Sequence, residues 1–285
     1  MKRIKAAITV ALAAITLTSC GSGKKAVQPI SSTFPDINQN GKIAVVAHRG
    51  FWKCDEGGNS QNSIAALKAA QNHGFWGIEC DIHITADDVI IVNHDNDING
   101  KLIWDHKYSD FEKDLLPNGE KRPTFDEFLQ QVTKCSTTVA VIEFKIQKNR
   151  EREDKLVNGA IALLKKYGLY DPQRVAFISF GRHMCQKIAE EHPQFINQFL
   201  SGKVAPAVLA QEKINGIDYY YSNFQTWPEF VAAAHQQRMS VNAWTIDKPE
   251  PVKEMIQLGV DAITTNEPLM VRELLGDKEF RKIPR

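Results

Sequence analysis

Residues 77–94 read GIECDIHITADDVIIVNH, and their pattern restricts the kind of fold that the rest of the chain can form. An apolar strand pattern over 77–82 is followed, after a short polar segment, by a second apolar run over 89–92. Parallel neighbouring strands need a connection of about a dozen residues or more, and too few are available here. The second run is therefore predicted to return antiparallel to the first, as a hairpin centred near Asp87.

This hairpin is expected to bring a histidine next to two carboxylates. Folding about Asp87 returns His94 to the level of Cys80 on the first strand. Because side chains alternate along a strand, Glu79 and Asp81 share the face opposite to Cys80. The sequence thus predicts an imidazole beside a pair of acidic side chains.

The chain on either side of this stretch alternates short β-branched or aromatic runs with helical patterns, which is typical of parallel β/α units. The predicted parallel strands cover residues 43–47, 77–82, 139–144, 175–179, 195–200, 217–221, 240–244 and 261–264. The predicted helices cover residues 62–73, 125–134, 153–167, 182–191, 204–211, 228–237, 249–258 and 267–275. This pattern predicts an α/β domain over 42–285, a (β/α)8 TIM barrel with an extra hairpin strand after barrel strand 2.

The composition fits one folded domain and excludes one class of partner. Of the 285 residues, 43% are hydrophobic and 24% are charged, which is the ordinary globular range. Lys and Arg number 35 against 34 Asp and Glu, and residues 1–19 hold some of the cations but none of the acids. A near-neutral remainder argues against nucleic acid as a partner, because binding to phosphate backbones needs a concentrated basic surface.

Residues 1–19 have the features of a signal peptide: a basic start and an apolar run too short to span a bilayer. The sequence Leu17-Thr18-Ser19-Cys20 resembles the lipobox of bacterial lipoproteins, in which cleavage leaves the Cys N-terminal and lipidated. We therefore expect a lipid on Cys20, a flexible tether over 20–41, and an exported protein anchored to a membrane. An ordinary secretory signal that happens to contain Cys20 is the alternative.

Polar or aromatic residues lie at or just after the ends of five apolar runs, at the edge where β/α barrels carry their sites. These residues are His48 and Arg49, Glu79 and Asp81, His94, Glu143 and Lys145, and Trp244. Each has an ordinary structural explanation when taken singly, because strand-end histidines are usually hydrogen-bonded and acidic residues are usually solvated. Their gathering on one rim favours a functional site.

Three of these residues, Glu79, Asp81 and Glu143, are carboxylates that strand alternation points into the barrel. Like charges repel strongly in a partly dry site, so the three carboxylates need a compensating cation. Oxygen-only ligation suits Mg²⁺ or Ca²⁺, and the absence of a Cys-rich or His-rich cluster argues against Zn²⁺. A divalent cation, Ca²⁺ or Mg²⁺, is therefore the predicted cofactor.

The other polar residues suit the cleavage of a phosphodiester. His48 and His94 can exchange protons near neutral pH, whereas Arg49 and Lys145 supply fixed positive charge for a phosphate. Together with a divalent cation, these groups predict phosphodiesterase chemistry.

The same motifs, in the same order, resemble those of the glycerophosphodiester phosphodiesterase family. The resemblance rests on Ala47-His48-Arg49-Gly50, Asn62-Ser63, Ile78-Glu79-Cys80-Asp81-Ile82, His94-Asp95, Ile142-Glu143-Phe144-Lys145, Asn242-Ala243-Trp244-Thr245 and Thr265-Asn266-Glu267-Pro268. It implies a metal held by Glu79, Asp81 and Glu143, and proton transfer by His48 and His94. The substrate contacts that it implies come from Arg49, Lys145, Asn62 and Trp244.

Two positions depart from the family pattern. Gln61 stands where the family usually has Glu, and Asp88 stands in the hairpin turn where the family usually has Gly. The insertion after the His-Asp motif is also reduced, to about 96–122, so recognition of the substrate head group can differ.

The resemblance implies hydrolysis of glycerophosphodiesters to glycerol 3-phosphate and an alcohol. Attack on phosphorus comes either from the glycerol 2-hydroxyl or directly from water. A phospholipase C or D-like enzyme acting on intact lipids is an alternative, but it needs an apolar rim, for which the sequence offers Phe51 and Trp52. A catalytically silent lipoprotein that binds a phosphorylated ligand is the other alternative, and the intact histidines and carboxylates weigh against it.

Overall fold

The computed structural model describes residues 41–281, so the predicted signal peptide, Cys20 and nearly all of the tether lie outside the described residues. Its main element is a closed ring of parallel strands. The eight strands of this ring are β1 (Ile43–Ala47), β2 (Gly77–Ile84), β3 (Val139–Phe144), β4 (Val175–Ser179), β5 (Ile196–Phe199), β6 (Gly216–Tyr220), β7 (Ser240–Trp244) and β8 (Ala262–Thr265). Each strand pairs with the next along the chain, and β1 pairs with both β2 and β8, which closes the barrel. The predicted (β/α)8 barrel is confirmed.

Helices surround the ring in the part of the chain that the structure describes. They are α1 (Ile64–Asn72), α2 (Phe125–Val132), α3 (Arg150–Lys166), α4 (Arg182–Glu191), α5 (Pro206–Gln211), α6 (Tyr221–Thr226), α7 (Glu229–Gln236), α8 (Pro249–Leu258) and α9 (Pro268–Leu275). Within residues 41–281, no helix combines the length and the apolar character needed to cross a bilayer.

Several predicted boundaries differ from the structure by one to three residues, and two of these differences have clear local reasons. The first helix was predicted to begin at Asn62, but it begins at Ile64, because the Ser63 side chain accepts a hydrogen bond from the Ala66 backbone N–H and so caps the helix. Asn62 itself has a φ of 58°, which is not helical. The sixth strand was predicted to include Tyr221, which instead opens the short helix α6.

The predicted hairpin is confirmed, with its predicted centre. The return strand Ile90–Val92 runs antiparallel to β2, with Ile82 opposite Val92 and Ile84 opposite Ile90, and this register is centred on Asp87. Asp88 has a φ of 63°, in the left-handed region that glycine adopts most readily and that Asp tolerates better than most other residues. The turn therefore explains why the family usually has Gly at this position.

Further strands that the sequence analysis did not predict lie outside the ring. Asp97–Ile98 and Lys101–Leu102 form a small hairpin within the insertion, next to a separate apolar cluster that includes Ile103 and Phe111. Glu279–Phe280 pairs in parallel with the start of β1. The insertion is thus an ordered addition with its own small core.

The barrel core separates into an inner and an outer layer, and this separation positions the polar residues. On β3, Val139 and Val141 pack in the inner cluster, whereas Ile142 and Phe144 pack in the larger cluster that includes the helices. Glu143 lies two residues after Val141 and therefore points inward, as predicted.

Candidate active site

A cavity of about 210 Å³ opens at the carboxyl ends of the barrel strands. Its lining residues are His48, Arg49, Glu79, His94, Glu143, Ile178, Phe180, Leu200, Asp218, Trp244, Thr245 and Thr264. Six of the predicted site residues belong to this set. Asp81, Lys145 and Asn62 do not line this cavity, but each lies next to a residue that does: Asp81 beside Glu79 and Glu143, Lys145 beside Glu143, and Asn62 beside Arg49.

The three carboxylates of Glu79, Asp81 and Glu143 meet beside this cavity. One oxygen from each lies within 4.8 Å of the others, and all three residues are buried. Burial, together with the charges of Asp81 and Glu143, raises the pKa of Glu79 well above its usual value. Burial and the charge of Asp81 raise the pKa of Glu143 to about 8. These carboxylates therefore hold protons readily unless a cation replaces them.

Asp81 differs from its two neighbours because it has more cationic partners. Burial opposes its ionisation, but Lys145 and Arg49 outweigh burial and hold the pKa of Asp81 below its usual value. The Lys145 Nζ lies 3.3 Å from Asp81 Oδ1 and 2.8 Å from Glu143 Oε1. The Arg49 Nε lies 3.6 Å from Asp81 Oδ2. Asp81 is thus the carboxylate that stays charged in the cluster.

A tight turn after β1 places Arg49 against the cluster. Arg49 has a φ of 56°, and its backbone N–H donates a 2.8 Å hydrogen bond to Glu79 Oε2. The next residue, Gly50, has a φ of 82°, and a Cβ there would approach the Ala66 Cβ to 2.7 Å. Only glycine allows α1 to pack this closely on the turn.

Asn62 uses both ends of its side-chain amide on Asp81. Its Nδ2 donates to Asp81 Oδ2 at 2.8 Å, and its Oδ1 accepts from the Asp81 backbone N–H at 3.3 Å. The backbone N–H of Asn62 also donates to the Arg49 carbonyl, with an N–O distance of 2.9 Å. The predicted substrate ligand Asn62 therefore lies behind Asp81, where it fixes that carboxylate.

His48 directly follows β1, and its two ring nitrogens face two different groups. Its Nε2 lies 3.9 Å from Glu79 Oε2, and its Nδ1 lies 2.9 Å from Asn266 Oδ1. Burial and the charge of Arg49 lower the pKa of His48 to about 4, so its imidazole is neutral at physiological pH. A neutral imidazole at this position can accept a proton.

His94 follows the return strand and lies beside Asp81, as the hairpin register predicts. The neighbouring Asn93 backbone N–H donates to the Asp81 carbonyl at 3.0 Å, which fixes the position of the His94 loop along β2. His94 is more exposed than His48, and its Nδ1 lies 2.8 Å from Asp95 Oδ1. Burial lowers the pKa of His94 even though the charge of Asp81 opposes the change.

The opposite side of the cavity is aromatic and apolar. The rings of Phe180 and Trp244 meet edge to face at a centroid distance of 5.7 Å, and Tyr220 meets Trp244 at 5.5 Å. The Trp244 Nε1 donates to the Asp218 carbonyl at 2.9 Å, which fixes the indole over the end of β6. Phe51, a predicted candidate for a lipid-inserting rim, is buried instead.

Two residues of this region were missed by the sequence analysis as site residues. Asp218 is buried on β6 and lines the cavity. An acidic residue between the apolar Ile217 and Tyr219 of a predicted strand was the sequence feature that could have indicated it. Asn266, directly after β8, contacts His48, but no sequence spacing indicates that contact, because 218 residues separate the two.

The carboxylate cluster fits a hard divalent cation. Its donors are all oxygens, and Glu79 Oε1 is buried with no hydrogen-bond partner among residues 41–281. A buried, unpartnered carboxylate oxygen beside two other carboxylates is the arrangement that Mg²⁺ or Ca²⁺ ligation would satisfy.

Comparison with known proteins decides the family. The glycerophosphoryl diester phosphodiesterase family model matches residues 48–270, which cover most of the barrel, from His48 at the end of β1 into α9. The chain belongs to the glycerophosphoryl diester phosphodiesterase family. The predicted family and the predicted enzyme class, a phosphoric diester hydrolase, are thereby confirmed.

Relatives within this family resemble the chain over nearly their whole length. A glycerophosphodiester phosphodiesterase from Parabacteroides distasonis is 34% identical, with a TM-score of 0.80 over 83% of this chain and 98% of that one. A glycerophosphodiester phosphodiesterase of Caldanaerobacter subterraneus is 26% identical over 242 residues, which cover 80% of this chain and 95% of the relative. An Oleispira antarctica phosphodiesterase, solved with the product sn-glycerol-3-phosphate, shares the fold at 18% identity and a TM-score of 0.69.

The departure from the family pattern at Gln61 has a visible structural counterpart. The Arg49 guanidinium donates a 2.5 Å hydrogen bond to Gln61 Oε1. A neutral amide therefore holds Arg49 here without pairing its charge, so that charge stays directed at Asp81 and the cavity.

Proposed function

We propose that the chain hydrolyses glycerophosphodiesters to glycerol 3-phosphate and an alcohol, with His48 and His94 as the proton-transferring pair and Glu79, Asp81 and Glu143 holding a divalent cation. The observation that carries this proposal is the convergence of both imidazoles and the carboxylate cluster on one cavity of a phosphodiesterase barrel. Membership of the family supports the reaction class, and the geometry supports the roles.

In this proposal, the cation and the residues around the carboxylate cluster have separate tasks. When bound, the cation would stabilise negative charge on the phosphoryl oxygens. Asn62 and Lys145 hold Asp81 and Glu143 in place through the contacts described above. Arg49 faces the cavity and is the guanidinium best placed to bind a phosphate oxygen, with Lys145 as the second cation.

The two histidines have different partners, which supports different roles. A carboxylate, Asp95, contacts His94 Nδ1 and favours the protonated ring, in opposition to burial, as a general acid requires. A neutral amide contacts His48, which suits a general base. His48 would therefore remove the proton from the attacking hydroxyl, either the glycerol 2-hydroxyl or water, and His94 would protonate the leaving alcohol.

The aromatic side of the cavity is proposed to contact the carbon skeleton of the substrate. Trp244 and Phe180 present ring surfaces toward the same space that the carboxylates face from the other side. A small phosphodiester would then have its phosphate at the polar side and its carbon atoms against the rings.

The function is tested by incubating the purified protein with glycerophosphocholine and Mg²⁺ or Ca²⁺ and measuring glycerol 3-phosphate. We expect release of glycerol 3-phosphate, and we expect intact phosphatidylcholine in vesicles to be a poor substrate. A protein that releases no glycerol 3-phosphate from glycerophosphocholine, glycerophosphoethanolamine or glycerophosphoglycerol would contradict the proposal. Faster hydrolysis of intact phosphatidylcholine would instead identify a phospholipase.

We also propose that Cys20 is lipidated and anchors the exported domain to a membrane, because residues 17–20 match a lipobox. We expect Cys20→Ala to move the protein from the membrane fraction to the soluble fraction, and Cys135→Ala, the control at another cysteine, to leave it in the membrane. Fractionation followed by immunoblotting measures both. Membrane retention of the Cys20→Ala protein after its signal has been cleaved would refute the anchor.

A further inference from the structure

One side chain, Asn266, contacts the ring nitrogen of His48 that faces away from the carboxylates, and Trp52 and Asp247 in turn hold Asn266. Asn266 follows β8, and its Oδ1 lies 2.9 Å from His48 Nδ1 and 3.0 Å from Trp52 Nε1. Its Nδ2 lies 2.7 Å from Asp247 Oδ2, and its backbone N–H donates to Asp247 Oδ1 at 2.8 Å. Asp247 follows β7, so three barrel loops meet at this amide.

These contacts determine which way the Asn266 amide faces. An indole Nε1–H can only donate a hydrogen bond, so the amide atom next to Trp52 must be the oxygen. A carboxylate can only accept, so the amide atom next to Asp247 must be the NH₂ group. Both neighbours require the same orientation, and the amide therefore presents its oxygen to His48.

The orientation of the amide in turn determines the tautomer of His48. Because Asn266 Oδ1 accepts, His48 Nδ1 must carry the proton and donate it. In the neutral imidazole the other nitrogen, Nε2, is then unprotonated, and it lies on the side of Glu79. His48 thus has its free lone pair directed at the cavity.

We propose that Asn266 and Asp247 are positioning residues that fix the His48 ring and its tautomer, so that Nε2 accepts a proton during phosphodiester cleavage. This inference rests on the proposed function. Asp247 acts through Asn266, since it holds the amide NH₂ and prevents the flip that would turn a donor toward His48. Trp52 supports the same orientation from the opposite side.

The tautomer can be measured without any activity. Long-range ¹H–¹⁵N correlation spectra of the full protein with Mg²⁺ distinguish the two neutral tautomers, and His48→Ala assigns the His48 signal. We expect the Nδ1–H tautomer in the unmodified protein and a loss of that preference in Asn266→Leu. An Nε2–H tautomer in the unmodified protein, or an unchanged one in Asn266→Leu, would overturn the inference.

Kinetics then test whether the tautomer matters. We expect Asn266→Leu to lower kcat for glycerophosphocholine by about ten- to a hundredfold, less than the full loss of a general base, with KM and bound metal little changed. In the double variant Asn266→Asp with Asp247→Asn, the carboxylate at position 266 still accepts the hydrogen bond from His48. The amide at position 247 now donates the hydrogen bond between the two positions. This double variant should recover both the tautomer and most of kcat.

Lys53→Met provides the matched control. The Lys53–Glu267 ion pair, with an N–O distance of 2.7 Å, also joins the loops after β1 and β8, but it does not contact His48. This variant should keep the tautomer and near-normal kcat. If Lys53→Met lost as much kcat as Asn266→Leu, the loss would come from separating the loops after β1 and β8 and not from the tautomer. If the folded double variant did not regain kcat, the proposed role of Asn266 and Asp247 would be excluded. An unmodified protein with the Nδ1–H tautomer but no hydrolysis would contradict the proposed function alone.

Discussion

Replacing His48 or His94 with alanine is expected to lower kcat for glycerophosphocholine by about 10²–10⁴-fold in each case, the usual worth of a general acid or base. Both imidazoles line the cavity, and neither ring belongs to the carboxylate cluster, so divalent-cation binding should persist in both variants. Steady-state kinetics and metal analysis of the purified variants measure the two effects separately.

A change of leaving group should separate the two roles. A nitrophenolate leaves without protonation, so a nitrophenyl phosphodiester should partly rescue the variant that has lost the general acid. Because Asp95 contacts His94, we expect rescue of His94→Ala and none of His48→Ala.

His183→Ala serves as the control for these variants, because His183 pairs with Asp154 on the helical surface and does not line the cavity. It should leave kcat nearly unchanged. Near-normal turnover by His48→Ala or His94→Ala, or equal rescue of both, would contradict the paired-histidine mechanism.

Removal of the divalent cation is expected to abolish activity, and Glu79→Gln should lower both metal content and kcat by a large factor. Metal stabilisation of phosphoryl charge is worth several kcal/mol, which corresponds to about 10³-fold or more in rate. Glutamine keeps the shape of Glu79 but removes the charge from an oxygen that has no other partner among the described residues.

The same prediction has a pH dependence of known sign. Without a cation, the pKa values of Glu79 and Glu143 are raised, that of Glu143 to about 8, so a cation must displace protons to bind. Cation affinity should therefore weaken as pH falls below about 8, and isothermal titration at several pH values measures it. Glu153→Gln, at a buried acid on α3, is the matched control. Full activity after exhaustive chelation would refute the metal site.

Strand alternation and turn length made much of this site predictable. Glu79 and Asp81 are two residues apart on one strand, so periodicity alone placed them on one face. The short turn of the hairpin, centred on Asp87, placed His94 beside them. Arg49 was predicted because it directly follows β1. These inferences need only local geometry, which the order of residues determines.

The residues that escaped prediction depend on how distant units meet. Asn62 was predicted as a site residue, but its hydrogen bonds to Asp81 depend on a left-handed backbone conformation at Asn62 that sequence periodicity does not indicate. Asn266, which Asp247 holds in place, reaches His48 only because β8 closes against β1. Sequence periodicity shows which face a side chain takes, whereas the partner across the barrel is set by ring closure.

The closure of β8 onto β1 also orders the assembly of the site during folding. Glu79, Asp81 and Glu143 lie on the adjacent strands β2 and β3, so their cluster needs only neighbouring units. The His48–Asn266 contact joins residues 218 apart, and contacts of such high sequence separation form late because loop-closure entropy opposes them. A partly folded chain should therefore gain its cation-binding cluster before it gains a correctly oriented base.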